Sequence, residues 1–243
     1  MLEKQNKHNR DAYITFREQD HIYTVKGKTN FISVTKKVHA LFEPFNADKI
    51  INDMMNSSKW ESSKYFGMTK DDIKTQWNKN GIEASKLGTE MHLMFEKYYN
   101  SIHFNAEGLE VDYFKNFIID HKHLIPYRTE WKVYDEDKKL TGTIDMVYMN
   151  EDGTLSIYDW KRCKSINKLN TFNKFSSCDK IKNIPDTNYW HYSIQLNLYK
   201  YILEKKYGFI VKDMYLVQIH PNQNNYKKIK VDILIDVVDN ILD

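Results

Sequence analysis

Hydrophobic and polar positions alternate most regularly over residues 140–163, where LTGTIDMVYM and LSIYDWK flank Glu151-Asp152-Gly153. Thr, Ile, Val, Tyr and Leu suit a pleated surface and the three residues between are a turn signal, so the stretch predicts a β-hairpin. Earlier, YITF and HIYTV between Tyr13 and Val34 predict an N-terminal hairpin, with Ser33 or Thr35 capping a helix that follows. Ile50, Ile51 and Met54 stand at helical spacing in 46–55, and Thr69-Lys70-Asp71-Asp72 reads as a helix start with acids in its first turn. Residues 80–100 place Leu87, Met91, Met94, Phe95 and Tyr98 on one stripe and His92, Glu96 and Tyr99 on the next. Helices over 111–121 and 192–207, strands at TEWKVY (129–134), 213–220 and 226–233, and a short terminal helix complete the pattern.

A symmetric turn puts Asn150 opposite Thr154 and therefore Asp145 opposite Asp159, with Cβ atoms about 5 Å apart. Alternation brings Lys161 to the same face. A bulge at Gly153 would slip that register by one residue. Opposed carboxylates among buried neighbours need compensation, because an unpaired buried charge costs several kcal/mol. The residues alone leave two readings open. Either Lys161 forms a salt bridge to both aspartates, or a hard divalent cation sits between them and leaves Lys161 to act on a water or phosphate.

Composition narrows the class. The 243 residues are 41% hydrophobic and 28% charged, which suits one globular core with appendages. No apolar run approaches a membrane span, the polar start MLEKQNKHNR shows no leader, and the two cysteines, Cys163 and Cys178, make no disulfide framework. A soluble intracellular monomer in a reducing compartment is the expectation. A net charge of +3 does not by itself argue for nucleic acid. Local charge says more: residues 162–190 interleave six basic residues, among them Arg162 and Lys164, with Phe172, Phe175, Tyr189 and Trp190. That mixture grips single-stranded nucleic acid when exposed, and is a solvated loop with tucked aromatics when not.

Four motifs follow in order: Gly88-Thr89-x-x-His92, Gly142-Thr143-Ile144-Asp145, Asp159-Trp160-Lys161 and Gln195-x-x-x-Tyr199. Together they resemble the PD-(D/E)XK nuclease superfamily, in its RecB-type branch. Ser33-Val34-Thr35 and the DWK form of the third motif look most like the mitochondrial genome maintenance exonuclease group. The resemblance spans 88–199, roughly half of the chain. It implies an α/β restriction-endonuclease-like core, with a central mixed sheet flanked by helices, over 80–243, preceded by a hairpin and helical part over 1–79. It further implies that Asp145 and Asp159 bind Mg²⁺ or Mn²⁺ with His92 and the Trp160 carbonyl, and that Lys161 orients or deprotonates the attacking water. Gln195 and Tyr199 would steady the site and touch DNA, while Glu130 matches an acidic position of some members and Glu96 is a weaker candidate. Ile144 departs from the family's proline and Arg162 from a common threonine. The cysteines of iron–sulfur relatives are lacking, so no such cluster is expected. The implied activity is exonucleolytic trimming of single-stranded DNA ends in replication, repair or recombination, with the N-terminal helical part and the basic loop walling a channel. An endonuclease acting on RNA or branched DNA and a non-catalytic nucleic-acid-binding accessory protein are the alternatives.

Overall fold

The alternating runs become strands, and the central pair takes the register that a symmetric turn dictates. In the computed structural model, which describes residues 1–170 and 172–243, β5 (Leu140–Met149) and β6 (Leu155–Lys161) pair antiparallel with Met146 opposite Tyr158 and Tyr148 opposite Ser156. Asn150 N–H donates to Thr154 O, and Gly153 takes the left-handed conformation the turn requires (φ +77°) without a slip. β4 (Ile125–Asp135) runs antiparallel along all of β5, starting four residues earlier than TEWKVY suggests. β7 (Val211–Gln218) lies parallel to β6, and β8 (Lys227–Lys230) forms the edge beyond it. β3 (Ile32–Ser33), which no sequence pattern announces, pairs parallel with Leu140 and Thr141 and completes a mixed six-stranded sheet.

β4 occupies one edge of β5 throughout, so β3 and β6 share the other. β3 takes residues 140–141 and β6 takes 146–149, which leaves 142–145 without a strand partner on that side. The Gly-Thr-Ile-Asp motif lies in that opening.

Helices cover both faces of the sheet. α2 (Val34–His39), α6 (Asn188–Lys206) and α7 (Ile235–Leu242) pack on one face around Val147, Ile157, Leu198 and Ile202. On the other, Met91, Met94 and Phe95 of α4 (Lys70–Tyr99) join α5 (Leu109–Asp120) around Met146, Tyr148, Tyr158 and Trp160. Phe95 stacks on Phe114 with ring centroids 3.7 Å apart, and both meet Trp160 edge-on. Local signals set the helix starts: Ser33 Oγ accepts from Lys36 N–H, and Thr69 and Asp72 cap one another reciprocally. The two helical segments expected over 69–100 are one helix, α4, and a Cβ at either of its glycines, Gly81 or Gly88, would meet no other residue. α6 opens at Asn188 rather than Tyr192. Tyr189 extends its buried face by one turn, so Tyr189 and Trp190 are helical and not loop aromatics.

Two units divide the chain, 1–43 with 91–243, and 44–90. The sequence reading draws its line at residue 79 instead. α1 (Leu2–Gln5) and the hairpin β1 (Ile14–Arg17) with β2 (Ile22–Val25) belong with the sheet, where Asp11 accepts from Arg128 (2.7 Å) and from the Trp131 indole (2.9 Å). Within 44–90, α3 (Ala47–Met55) is capped by Asn46, and Lys74 pairs with Asp48 at 2.8 Å.

One close approach across the opening is sterically strict. A Cβ on Gly142 would lie 2.5 Å from Cε1 of the buried Tyr199 ring. Gly142→Ala is expected to lower unfolding stability by about 1–3 kcal/mol, typical of overpacking. Tyr199→Leu in the same chain should recover part of that loss in a double-mutant cycle followed by urea unfolding; strictly additive losses would refute the clash.

Candidate functional site

Continuing the β5–β6 register one step places Asp145 opposite Asp159, and the β4–β5 register places Glu130 opposite Asp145 on the other side. Three carboxylates thus stand in a row across three adjacent strands. Glu130 holds a left-handed backbone (φ +44°) inside a strand, a conformation that costs about 1–3 kcal/mol and recurs at functional sites.

The strands part here, and side chains take over the abandoned ladder. The Trp160 N–H donates to Asp145 Oδ2 (2.9 Å), and the Trp160 carbonyl accepts from His92 Nε2–H (2.9 Å). Both backbone polar groups of Trp160 are therefore satisfied without a strand partner on this side. The bond to Nε2 leaves His92 Nδ1 facing the acids, 3.6 Å from Asp145 Oδ2 and 3.9 Å from Glu130 Oε1. His92, Glu130 and Asp145 bring one nitrogen and two oxygens within 4.8 Å of one another, a group that could hold a metal ion and that does not include Asp159. Glu130, a secondary candidate in the sequence, stands at the centre of this group.

Asp159 instead meets Lys161, whose Nζ lies 2.5 Å from Oδ2, while Gln195 Nε2–H donates to Oδ1 over 3.4 Å. Of the two aspartates, Lys161 forms its ion pair with this one alone. Its ammonium also lies 4.6 Å above the centre of the Tyr192 ring, a cation–π contact. Tyr192 precedes Gln195 by three residues on α6, so the helical spacing that aligns Gln195 with Tyr199 could have found it.

Burial sets the charge states. It pushes the Asp145 carboxyl up, against the pull of His92, and raises Asp159 to about 6 although Lys161 draws it down. Burial works against protonation of His92, but Asp145 and Glu130 more than offset it and carry the imidazole to about 9. Lys161, likewise opposed by burial, is held charged by Asp159 and Asp145. The Tyr199 phenol is buried and stays neutral.

The remaining predicted residues lie further out. Arg162 donates to Glu110 on α5 at 2.9 Å, and Lys164 is exposed. Glu96 is half-buried, and burial raises it against the pull of Lys132. In the basic stretch, Leu169 and Phe172 are 84% and 83% exposed, whereas Tyr189 is buried in the core. Cys163 and Cys178 are free, and no helix among the described residues is long and apolar enough to cross a membrane.

No family model matches this chain, and no curated protein matches it. The solved structure titled "Crystal structure of SSO0001" aligns over 88% of this chain and 74% of that one, at 14% identity and a TM-score of 0.40. A likeness at that level carries no argument.

Because folding raises the His92 pKa, its ion pairs contribute stability that is complete below about pH 6.5 and lost as pH rises through about 9. In chelator, the unfolding free energy is expected to fall across that window by at most about 3 kcal/mol. His92→Gln should flatten the decline; an unchanged slope in the variant would assign it elsewhere.

Proposed function

We propose that the chain is a metal-dependent nuclease that hydrolyses phosphodiester bonds, acting as an exonuclease on single-stranded DNA ends. The observation that carries this reading is the row Glu130, Asp145 and Asp159, with His92 at one end and Lys161 at the other. The ordered motifs that resemble the RecB-type PD-(D/E)XK nucleases converge on that row.

The donor set fits a hard divalent ion. Carboxylate oxygens suit Mg²⁺ and Mn²⁺, and one imidazole favours Mn²⁺. Burial of the aspartates raises both pKa values, the electrostatic deficit that a cation would remove. Asp145, Glu130 and His92 through Nδ1 would hold it, with Asp159 and the Trp160 carbonyl beside them. Bound there, the ion would polarise a phosphodiester oxygen and acidify a water.

The chain's own groups do the rest. His92 is oriented by the Trp160 carbonyl, which fixes Nδ1 toward the carboxylates. The Lys161 ammonium, held by Asp159 and the face of Tyr192, supplies positive charge where negative charge develops on the phosphate oxygens, and orients the incoming water. Gln195 fixes the free oxygen of Asp159, and Tyr199 seals the opening against Gly142. Exposed Phe172, with Lys168 and Lys174 nearby in the chain, would supply stacking and charge for an unpaired strand, which supports the single-stranded substrate.

With Mg²⁺ or Mn²⁺, the protein is expected to shorten linear single-stranded DNA and to spare a circular single strand. Lys161→Ala should lower the rate at least about a thousandfold, in line with loss of a charge-stabilising group, while its circular dichroism stays unchanged. Wild type as inert as the variant with every divalent ion tried would end the nuclease reading; cutting of circles would convert it to an endonuclease. Since protons compete with cations for His92 and the carboxylates, Mn²⁺ should raise the melting temperature more at pH 8 than at pH 5.5. An equal rise at both pH values would place the ion elsewhere.

A further inference from the structure

A second candidate site lies further along β5, where Tyr148 stands three residues beyond Asp145. Tyr148 forms part of the floor of an open cavity of about 820 Å³ between the end of α4, the loop after it and α5. Tyr98, Tyr99, Phe104 and Phe117 give it aromatic walls. Its basic side chains are Lys122, His103 and His121, and its lining holds no Asp or Glu. The neighbouring acid, Asp120, is engaged by the Tyr226 hydroxyl at 2.7 Å. Lys122 has no carboxylate partner among the described residues.

The floor carries an unused donor. Tyr99 and Tyr148 hydroxyls lie 2.5 Å apart, and burial holds both phenols protonated. One proton makes the bond between them, and the other has no acceptor among the described residues. That O–H is a donor available to a ligand atom in the cavity. His121 is fixed as well: its Nδ1–H donates to the Phe117 carbonyl (2.9 Å) and its ring stacks on Phe117, leaving Nε2 as a free acceptor.

We propose that this cavity binds a nucleotide, with the base against the aromatic walls and above the phenol pair, and the phosphate met by Lys122. Aromatic faces, one free donor, one free acceptor and unpaired positive charge in a volume of this size match a planar heterocycle carrying an anion better than an apolar or cationic ligand. The same chemistry could come from a free mononucleotide or from one nucleotide of a strand. The site needs no metal and does not depend on cleavage.

Calorimetric titration of the full chain in EDTA with AMP, UMP, adenosine and a pentanucleotide tests this. Binding of a mononucleotide is expected at 1:1, weakened at least tenfold by Lys122→Glu and at least threefold by Tyr99→Phe, with adenosine indifferent to Lys122→Glu. Binding by the pentanucleotide alone, with the same response to Lys122→Glu, supports the site and identifies the strand as the source. Lys122 is exposed, so its variant should melt as wild type does. No binding of any of these at millimolar concentration, or binding lost in Lys161→Ala but untouched by Lys122→Glu, overturns the proposal. The second result would put the nucleotide at the carboxylate row.

Discussion

Between Thr141 and Met146 the edge of β5 that should face β6 has no strand beside it, and the carboxylate row depends on that opening. β3 ends its pairing at Thr141 and β6 begins at Met146, so four residues of a central strand must satisfy themselves otherwise. A gap of this kind normally exposes peptide groups and is disfavoured. Here Asp145 accepts the Trp160 N–H and His92 donates to the Trp160 carbonyl. The groups that make the site are thus the groups that let the sheet open. Trp160 itself is anchored on the other face, wedged among Phe95, Phe114 and Phe117, so the peptide between these partners cannot drift.

Charge within the opening is balanced unevenly. Three carboxylates face one ammonium and one imidazole, and the two bases take opposite ends, Lys161 with Asp159 and His92 with Asp145 and Glu130. The salt-bridge reading of the aspartate pair is incomplete. The salt bridge accounts for Asp159. At the His92 end, Asp145 and Glu130 share one proton-dependent partner, and Glu130 spends backbone strain to be there. Strain and a raised carboxylate pKa recur together at functional sites, and their coincidence here supports the reading proposed above.

Much of this was legible in the sequence, and the gaps have physical causes. The register of the hairpin followed from its turn, because a period of two admits only one alignment once Asn150 faces Thr154. β3 was invisible because two residues carry no periodicity, and the continuity of α4 because its middle is polar. Glu130 could be placed near the site but not in it: a strand pattern says nothing of a left-handed residue, and that conformation accompanies its carboxylate at the row. In the basic stretch, composition could not tell exposed residues from core ones. Leu169 and Phe172 are exposed, while Tyr189 serves the core of α6.

The pairing of the Gly142 motif with the Gln195–Tyr199 motif, fifty residues apart in the chain, is a matter of volume. Gln195 must reach Asp159 from α6, which fixes how closely the helix approaches the opening in β5. One turn on, Tyr199 then falls over residue 142, where its ring leaves no room for even a methyl group. A smaller residue at 199 would relieve the crowding but leave the unpaired edge of β5 uncovered beside two buried carboxylates, and water entering there would weaken every electrostatic interaction in the site. Glycine at 142 and an aromatic ring at 199 are therefore one solution to one packing problem, and the acid on the neighbouring strand sets its dimensions.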